Sequence, residues 1–228
     1  MNLQIETSQD KIDIPLDAEL GYCLNVSGGI DSGTLLYCIC KTMTDHNKFK
    51  PIYAITTQNK NDKACGYHAQ LVIDFVRRKF PKVKIEHILV SSFLGGEHKA
   101  SKSNRIVYDL YQDKKIDIYF DGVTRNPIDD SFKFTAPDKR YVERISVRDK
   151  PLKREITYFY GLKRIRPWSN LDKRGIREIT DKYNISIKLL LLTKSCTDGK
   201  MYECGTCWWC SERKWAYGDL YIGFRHWK

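Results

Sequence analysis

Apolar and polar positions along the chain alternate between two rhythms. Leu20–Val26 is a short apolar run rich in β-formers, and Thr34-Leu35-Leu36-Tyr37-Cys38-Ile39-Cys40 is the apolar body of a helix running to about Thr44. Pro51–Thr57 reads as a second buried strand, and Asp62–Phe80 has helical periodicity with Arg77-Arg78-Lys79 at its basic end. Val83–Val90 is a third strand, residues 91–102 a Ser-, Gly- and Lys-rich loop, Asn104–Lys114 a helix, and Ile116–Phe120 a fourth strand. Strands alternating with helices predict an α/β fold, a parallel sheet with helices on both faces. Residues 1–19 are weakly patterned and are expected to form an edge strand or an arm, and the pattern is irregular from Pro127 to about Pro151. Asp172 is placed to cap a helix running to about Tyr183, and Cys207–Leu220 is helical in pattern.

In parallel sheets ligands bind at the carboxyl ends of strands. Three polar segments are expected on that rim: the turn after the first strand, Thr56–Asn59, and Asp121–Asn126. The turn is Ser27-Gly28-Gly29-Ile30-Asp31-Ser32-Gly33. Paired glycines allow close approach of backbone N–H groups to a ligand, and the helix start that follows favours an anion. With the hydroxyls of Ser27 and Ser32 this makes a phosphate cradle. No Lys-Ser or Lys-Thr follows, so it is not a Walker A loop, and the dinucleotide spacing is missing.

Near the other end, Cys196, Cys204, Cys207 and Cys210 have the spacing C-x7-C-x2-C-x2-C. Four thiolates with two-residue gaps suit a tight turn around a tetrahedral zinc ion. A disulfide or redox role and an iron–sulfur cluster are the competing readings. Cys23, Cys38, Cys40 and Cys65 lie in apolar or helical contexts and read as core or neutral thiols. Trp208, Trp209, Trp215 and Tyr217 read as packing around the metal turn, and His68 as a structural or exposed histidine.

A length of 228 residues suits one α/β domain with a small appendage, here 1–190 and 191–228. No basic segment followed by an apolar core opens the chain, and no apolar run approaches the ~20 residues of a membrane span, so a cytoplasmic protein without membrane contact is expected. The formal net charge is +11, and residues 133–177 hold 14 Lys or Arg against 5 Asp or Glu. Such a stretch attracts polyanions or is simply a solvated face. The aromatic interleaving of single-strand platforms is missing, which leaves nucleic acid as a less favoured partner.

The Ser27–Ser32 loop resembles the S-G-G-x-D-S signature of the PP-loop ATP pyrophosphatases. With Asp172-Lys173, Thr193-x-Ser195-Cys196 and the cysteines followed by Glu212-Arg213-Lys214, the chain resembles the 7-cyano-7-deazaguanine synthase family, outside roughly residues 1–18 and 128–160. The resemblance implies an enzyme that uses ATP, Mg²⁺ and ammonia to convert the carboxylate of 7-carboxy-7-deazaguanine to amide and nitrile through an adenylated intermediate, releasing AMP and pyrophosphate. It implies nucleotide binding by Ser27, Gly28, Gly29, Asp31, Ser32 and Gly33, with Asp31 and Ser32 at the chemistry, a structural Zn²⁺ on the four cysteines, and small-molecule partners; a homodimer stays open. Two departures stand out. Thr57-Gln58-Asn59 replaces the family's Tyr-Gly-Gln segment, and Lys194 stands where an aromatic or apolar residue is usual. The competing functions are an RNA-modifying PP-loop enzyme that adenylates a nucleobase oxygen, and a zinc-stabilised nucleic-acid-binding module with an inactive loop.

Overall fold

The computed structural model describes residues 1–59, 64–92, 99–127, 131–132, 153–158, 161–196 and 201–218. Its centre is a six-stranded sheet of β3 (Tyr22–Asn25), β4 (Ile52–Asn59), β5 (Ile85–Ser92), β6 (Ile118–Asp121), β7 (Glu155–Tyr158) and β8 (Leu162–Ile165), in the order β5-β4-β3-β6-β8-β7. All neighbours are parallel except the edge pair β7–β8. The helices are α1 (Ile30–Asp45), α2 (Ala64–Lys79), α3 (Lys99–Gln112), α4 (Lys173–Lys182), α5 (Ser186–Leu192) and α6 (Trp208–Tyr217).

The central strands β3, β4 and β6 are apolar on both faces, and their two-residue period sorts side chains between two cores. Tyr22, Leu24, Ile52, Ala54, Ile118 and Phe120 face the larger core with α1, α2 and α4. Cys23, Ile55 and Tyr119 face the smaller one, with Val107 and Leu110 of α3. The expected α/β sheet with helices on both faces is therefore what the chain forms. Ala216 and Tyr217 of α6 and Leu189 of α5 join the larger core, so the cysteine-bearing segment packs on the sheet domain's own interior.

Several elements differ from expectation. Residues 1–19 hold a hairpin, β1 (Asn2–Glu6) and β2 (Lys11–Pro15), which forms its own two-stranded sheet rather than an edge of the main one. Leu3, Ile5, Ile12 and Ile14 alternate into the larger core. Helix α3 begins at Lys99, inside the expected 91–102 loop, because extending a helix anchored by Val107 and Leu110 costs far less than nucleating one. The strands β7 and β8 were not apparent from the pattern; β8 gains its place in the sheet by pairing with β6 on one side and β7 on the other. The expected helix start at Asp62, the loop centre at 93–98, the helix end at Leu220 and residues 133–152 of the basic stretch lie outside the described residues.

The sheet grows in one direction from β3 to β4 and β5, then resumes on the other side of β3 with β6. The loops leaving β3 and β6 therefore diverge. Their last residues, Asn25 and Asp121, are register partners, which puts a crevice at the carboxyl end of this pair. Among the described residues no helix is long and apolar enough to cross a membrane.

Candidate nucleotide and metal site

The glycine-rich turn leaves β3 at this crevice. Gly28 has φ +80°, and a methyl group on it would lie 2.8 Å from the Ala69 nitrogen and 2.9 Å from the Cys65 oxygen. Only glycine lets the turn press against α2. Gly122, just past β6, packs tightly on α1: a methyl group there would lie 3.2 Å from the Ser32 nitrogen. The N-cap of α1 is Gly29, in extended conformation with no side-chain cap hydrogen bond. The first N–H groups of α1 are thus left to solvent or ligand. The Ser32 hydroxyl donates to the Gly29 carbonyl at 3.2 Å and accepts from the Ser27 N–H at 3.2 Å, and the Ser27 hydroxyl accepts from the Gly29 N–H at 3.4 Å.

A cavity of about 350 Å³ opens beside this turn. Of the sequence-predicted loop residues, Ser27, Gly29, Asp31 and Ser32 line it, while Gly28 is buried against α2 and Gly33 against Val72 and Leu189. Asp121, Gly122 and Val123 line a second wall as expected, and the Asp121 carboxylate is paired with Arg164. Of the expected rim residues on β4, Thr56, Thr57 and Gln58 do not line the cavity. Thr56 donates its hydroxyl to the Val26 carbonyl at 2.7 Å and Gln58 donates to the Ser91 hydroxyl at 3.3 Å, so β4 spends these polar groups on holding strand ends.

Six lining residues are absent from the sequence-predicted set: Asn25, Cys65, Lys173, Lys194, Ser195 and Trp209. Lys173 matters most. It follows Asp172, whose carboxylate accepts from the Arg174 and Gly175 N–H groups and caps α4 as expected. The buried Lys173 ammonium lies 2.6 Å from each carboxylate oxygen of Asp31. The Trp168 indole donates to the Asp31 carbonyl at 3.1 Å, fixing the backbone beneath. The Asp-Lys pair at a helix start was the available signal, but its target is 142 residues away. Lys194 is buried too, and its N–H donates to the Gly28 carbonyl at 2.9 Å, so the segment leading to Cys196 rests directly on the glycine turn. Cys65 proves to be half-buried at the cavity, not a core thiol, whereas Cys23, Cys38 and Cys40 are core, with thiols pushed up by burial. His68 is structural: its ring nitrogens sit 2.9 Å from the Leu192 carbonyl and 3.2 Å from the Met201 carbonyl.

The Sγ atoms of Cys196, Cys204, Cys207 and Cys210 all lie within 4.8 Å of one another. The pairs Cys196–Cys207 and Cys204–Cys210 are 3.8 and 3.9 Å apart. A tetrahedral ion with metal–sulfur bonds of about 2.3 Å requires sulfur–sulfur edges of about 3.8 Å, so the set fits one four-coordinate ion. In a cubane cluster each thiolate binds a separate iron and must stand further from the others. Backbone N–H groups of Cys204 and Cys207 donate to the sulfurs of Cys196 and Cys204 at 3.4 and 3.3 Å, supporting negative charge there. The hydrogen bond from Cys196 pulls the Cys207 thiol down to about 4, while its neighbours push Cys210 up. Four thiolates this close repel one another unless a cation lies between them. Arg213, three residues past Cys210, is buried and donates to the Thr193 carbonyl at 2.9 Å and to Glu203 at 2.8 Å, tying the two halves of the cysteine turn together. The packing role expected of the aromatic residues holds for buried Trp208 and Tyr217, and Trp215 carries the Arg174 guanidinium 4.1 Å above its ring; Trp209 instead faces the cavity.

In the described part of the basic 133–177 stretch, the charges are largely committed. Arg154 pairs with Asp10, Lys163 with Glu155, Arg164 with Asp121, Lys173 with Asp31 and Arg177 with Asp181.

No family model and no curated protein matches the chain. Among solved structures, the chain is similar to the U34-tRNA thiolase NcsA from Methanococcus maripaludis with its [4Fe-4S] cluster, at 11% identity and a TM-score of 0.47. The match covers 73% of this chain, and spans 57% of the length of that one. At that level of similarity the likeness adds nothing to the functional reading, which rests on the site's own geometry.

Proposed function

We propose that this chain is an ATP pyrophosphatase of the PP-loop type that adenylates the carboxylate of a 7-deazaguanine and aminates it to the amide and nitrile. The observation that carries the reading is the meeting, in one cavity at the β3/β6 crevice, of the Ser27–Ser32 turn, a lysine-clasped aspartate and the wall leading into the cysteine turn. A carboxylate is a poor electrophile because oxide is a poor leaving group, and adenylation replaces oxide with AMP. The Ser27 hydroxyl and the N–H groups at the open start of α1 would hold the departing pyrophosphate, whose charge the helix dipole offsets. Asp31 would hold Mg²⁺, which supplies charge neutralisation between the phosphates. Lys194 and Trp209 would form the acceptor wall, Lys194 facing its carboxylate and Trp209 offering a flat apolar surface to its ring system. Zn²⁺ on the four cysteines would be structural, since a closed thiolate shell has no open position, and 191–228 would be a metal-stabilised subdomain on the 1–190 body.

The test is incubation of the zinc-loaded protein with labelled ATP, 7-carboxy-7-deazaguanine and ammonia. AMP and pyrophosphate, with a mass shift of the deazaguanine to amide or nitrile, are expected. Release of ADP, or of AMP only when RNA replaces the deazaguanine, overturns the assignment.

A further inference from the structure

The Lys173 ammonium faces two carboxylates from different elements. Asp31 clasps it with both oxygens at 2.6 Å, and Glu212 of α6 stands 3.9 Å away. Glu212 is fully buried and does not line the cavity, while the Asp31 side chain is 23% exposed and does. Burying a carboxylate is costly unless a cation faces it, and the Lys173 ammonium stands within ion-pair distance of Glu212.

We propose that Glu212 is the second seat of the Lys173 ammonium, taken when Asp31 engages the divalent cation that accompanies the nucleotide. This rests on the ATP reading above. As the chain stands, both Asp31 oxygens are occupied by Lys173, and a divalent cation arriving there meets a like charge at contact distance. Turning the ammonium toward Glu212 frees the Asp31 oxygens without leaving a buried cation unpaired. Lysine suits the transfer, being a compact charge on a flexible stem. Its pivot is held still: Asp172, the preceding residue, caps α4 and is clamped by Gln9. Glu212 is thus a positioning residue for Asp31, acting through Lys173.

The experiment uses zinc-loaded full-length protein, Mn²⁺ as the probe, and an ATP analogue with a methylene bridge between the α and β phosphorus atoms. Bound Mn²⁺ is read from its electron paramagnetic resonance signal. Glu212→Gln is expected to weaken Mn²⁺ binding on the order of tenfold, because the ammonium then leaves Asp31 only at a desolvation cost. Lys173→Met is expected to strengthen binding of Mn²⁺ alone, and adding Glu212→Gln to Lys173→Met is expected to change nothing further. Unaltered Mn²⁺ affinity in a folded Glu212→Gln variant overturns the proposal, as does an equal loss on the Lys173→Met background. If the unsubstituted protein binds no Mn²⁺–analogue complex, the ATP reading itself fails. A crystal structure of the unsubstituted protein with Mn²⁺ and the analogue reads the same point with no substitution. Lys173 Nζ within hydrogen-bond reach of Glu212 supports the transfer, and Nζ still seated on Asp31 overturns it.

Discussion

Gln9 and Asp172, 163 residues apart, hold each other by two hydrogen bonds: the Gln9 amide donates to the Asp172 carboxylate at 2.7 Å, and the Asp172 N–H donates to the Gln9 carbonyl oxygen at 2.9 Å. The tip of the β1–β2 hairpin therefore seats the residue that caps α4, and Lys173 is the next residue along. Ser8 and Asp10 extend the bracket to Glu178 and Arg154.

Gln9→Ala is expected to destabilise the protein by roughly 1–3 kcal/mol, since it leaves the N–H of buried Asp172 without its partner. Loosening the seat of Lys173 is also expected to raise KM for ATP several-fold while lowering kcat less. Chemical denaturation and steady-state AMP release check the two parts separately. A stability loss with an unchanged KM would confine Gln9 to a structural role.

Asp31→Asn is expected to reduce AMP formation by about 100-fold or more, through loss of the carboxylate that would hold the Mg²⁺ neutralising the phosphates. The fold is expected to survive. Asp31 is not the cap of α1, whose N-cap is Gly29, and Lys173 keeps Glu212 as a partner. Circular dichroism and thermal melting check the fold, and AMP release checks the activity. Full activity in the variant would remove Asp31 from the chemistry.

Cys207→Ser is expected to release one equivalent of zinc and to lower the melting temperature, because a structural metal site contributes folding free energy directly. The loss should reach the nucleotide site, since Lys194 and Cys196 lie on the segment that both rests on the Gly28 carbonyl and leads into the cysteine turn. Metal analysis by mass spectrometry, with ATP affinity measured on the same samples, reads both effects. Zinc content unchanged from the parent protein would show that Cys207 is not a ligand.

His87 gives a pH dependence with a defined sign. Its ring bridges Gln70 at 2.8 Å and Thr56 at 2.9 Å, and burial, aided by the Arg77 charge, lowers its pKa below the usual 6.5. The unfolded chain then binds the proton more readily than the native one. The contribution of His87 is complete above about pH 6.5 and is lost as pH falls through 6.5 toward the lower native value. Denaturation midpoints between pH 7.5 and 5 are expected to fall less steeply in His87→Gln than in the parent. Parallel slopes would show that His87 titrates alike in both states.

What the sequence determined by itself was local. The strand, glycine turn and helix around Ser27–Ser32 follow from contiguous residues. So do the Asp172 cap, which reaches only two and three residues on, and the Cys204-x2-Cys207-x2-Cys210 turn. Tertiary structure decided which of those residues meet. Whether a loop glycine serves a ligand or packing depended on α2, which presses on Gly28 and leaves Gly29 open. Thr56 and Gln58 reached the expected strand end but spent their polar groups on neighbouring strands. The alternation of Leu3, Ile5, Ile12 and Ile14 was written in the chain, yet nothing local says that the hairpin closes on itself and clamps Asp172. Lys173 stayed invisible as a site residue for the same reason. Propensity and periodicity act over one or two turns of chain, whereas the pairing of Lys173 with Asp31 and Glu212 exists only once the core has carried three separate helices to one point.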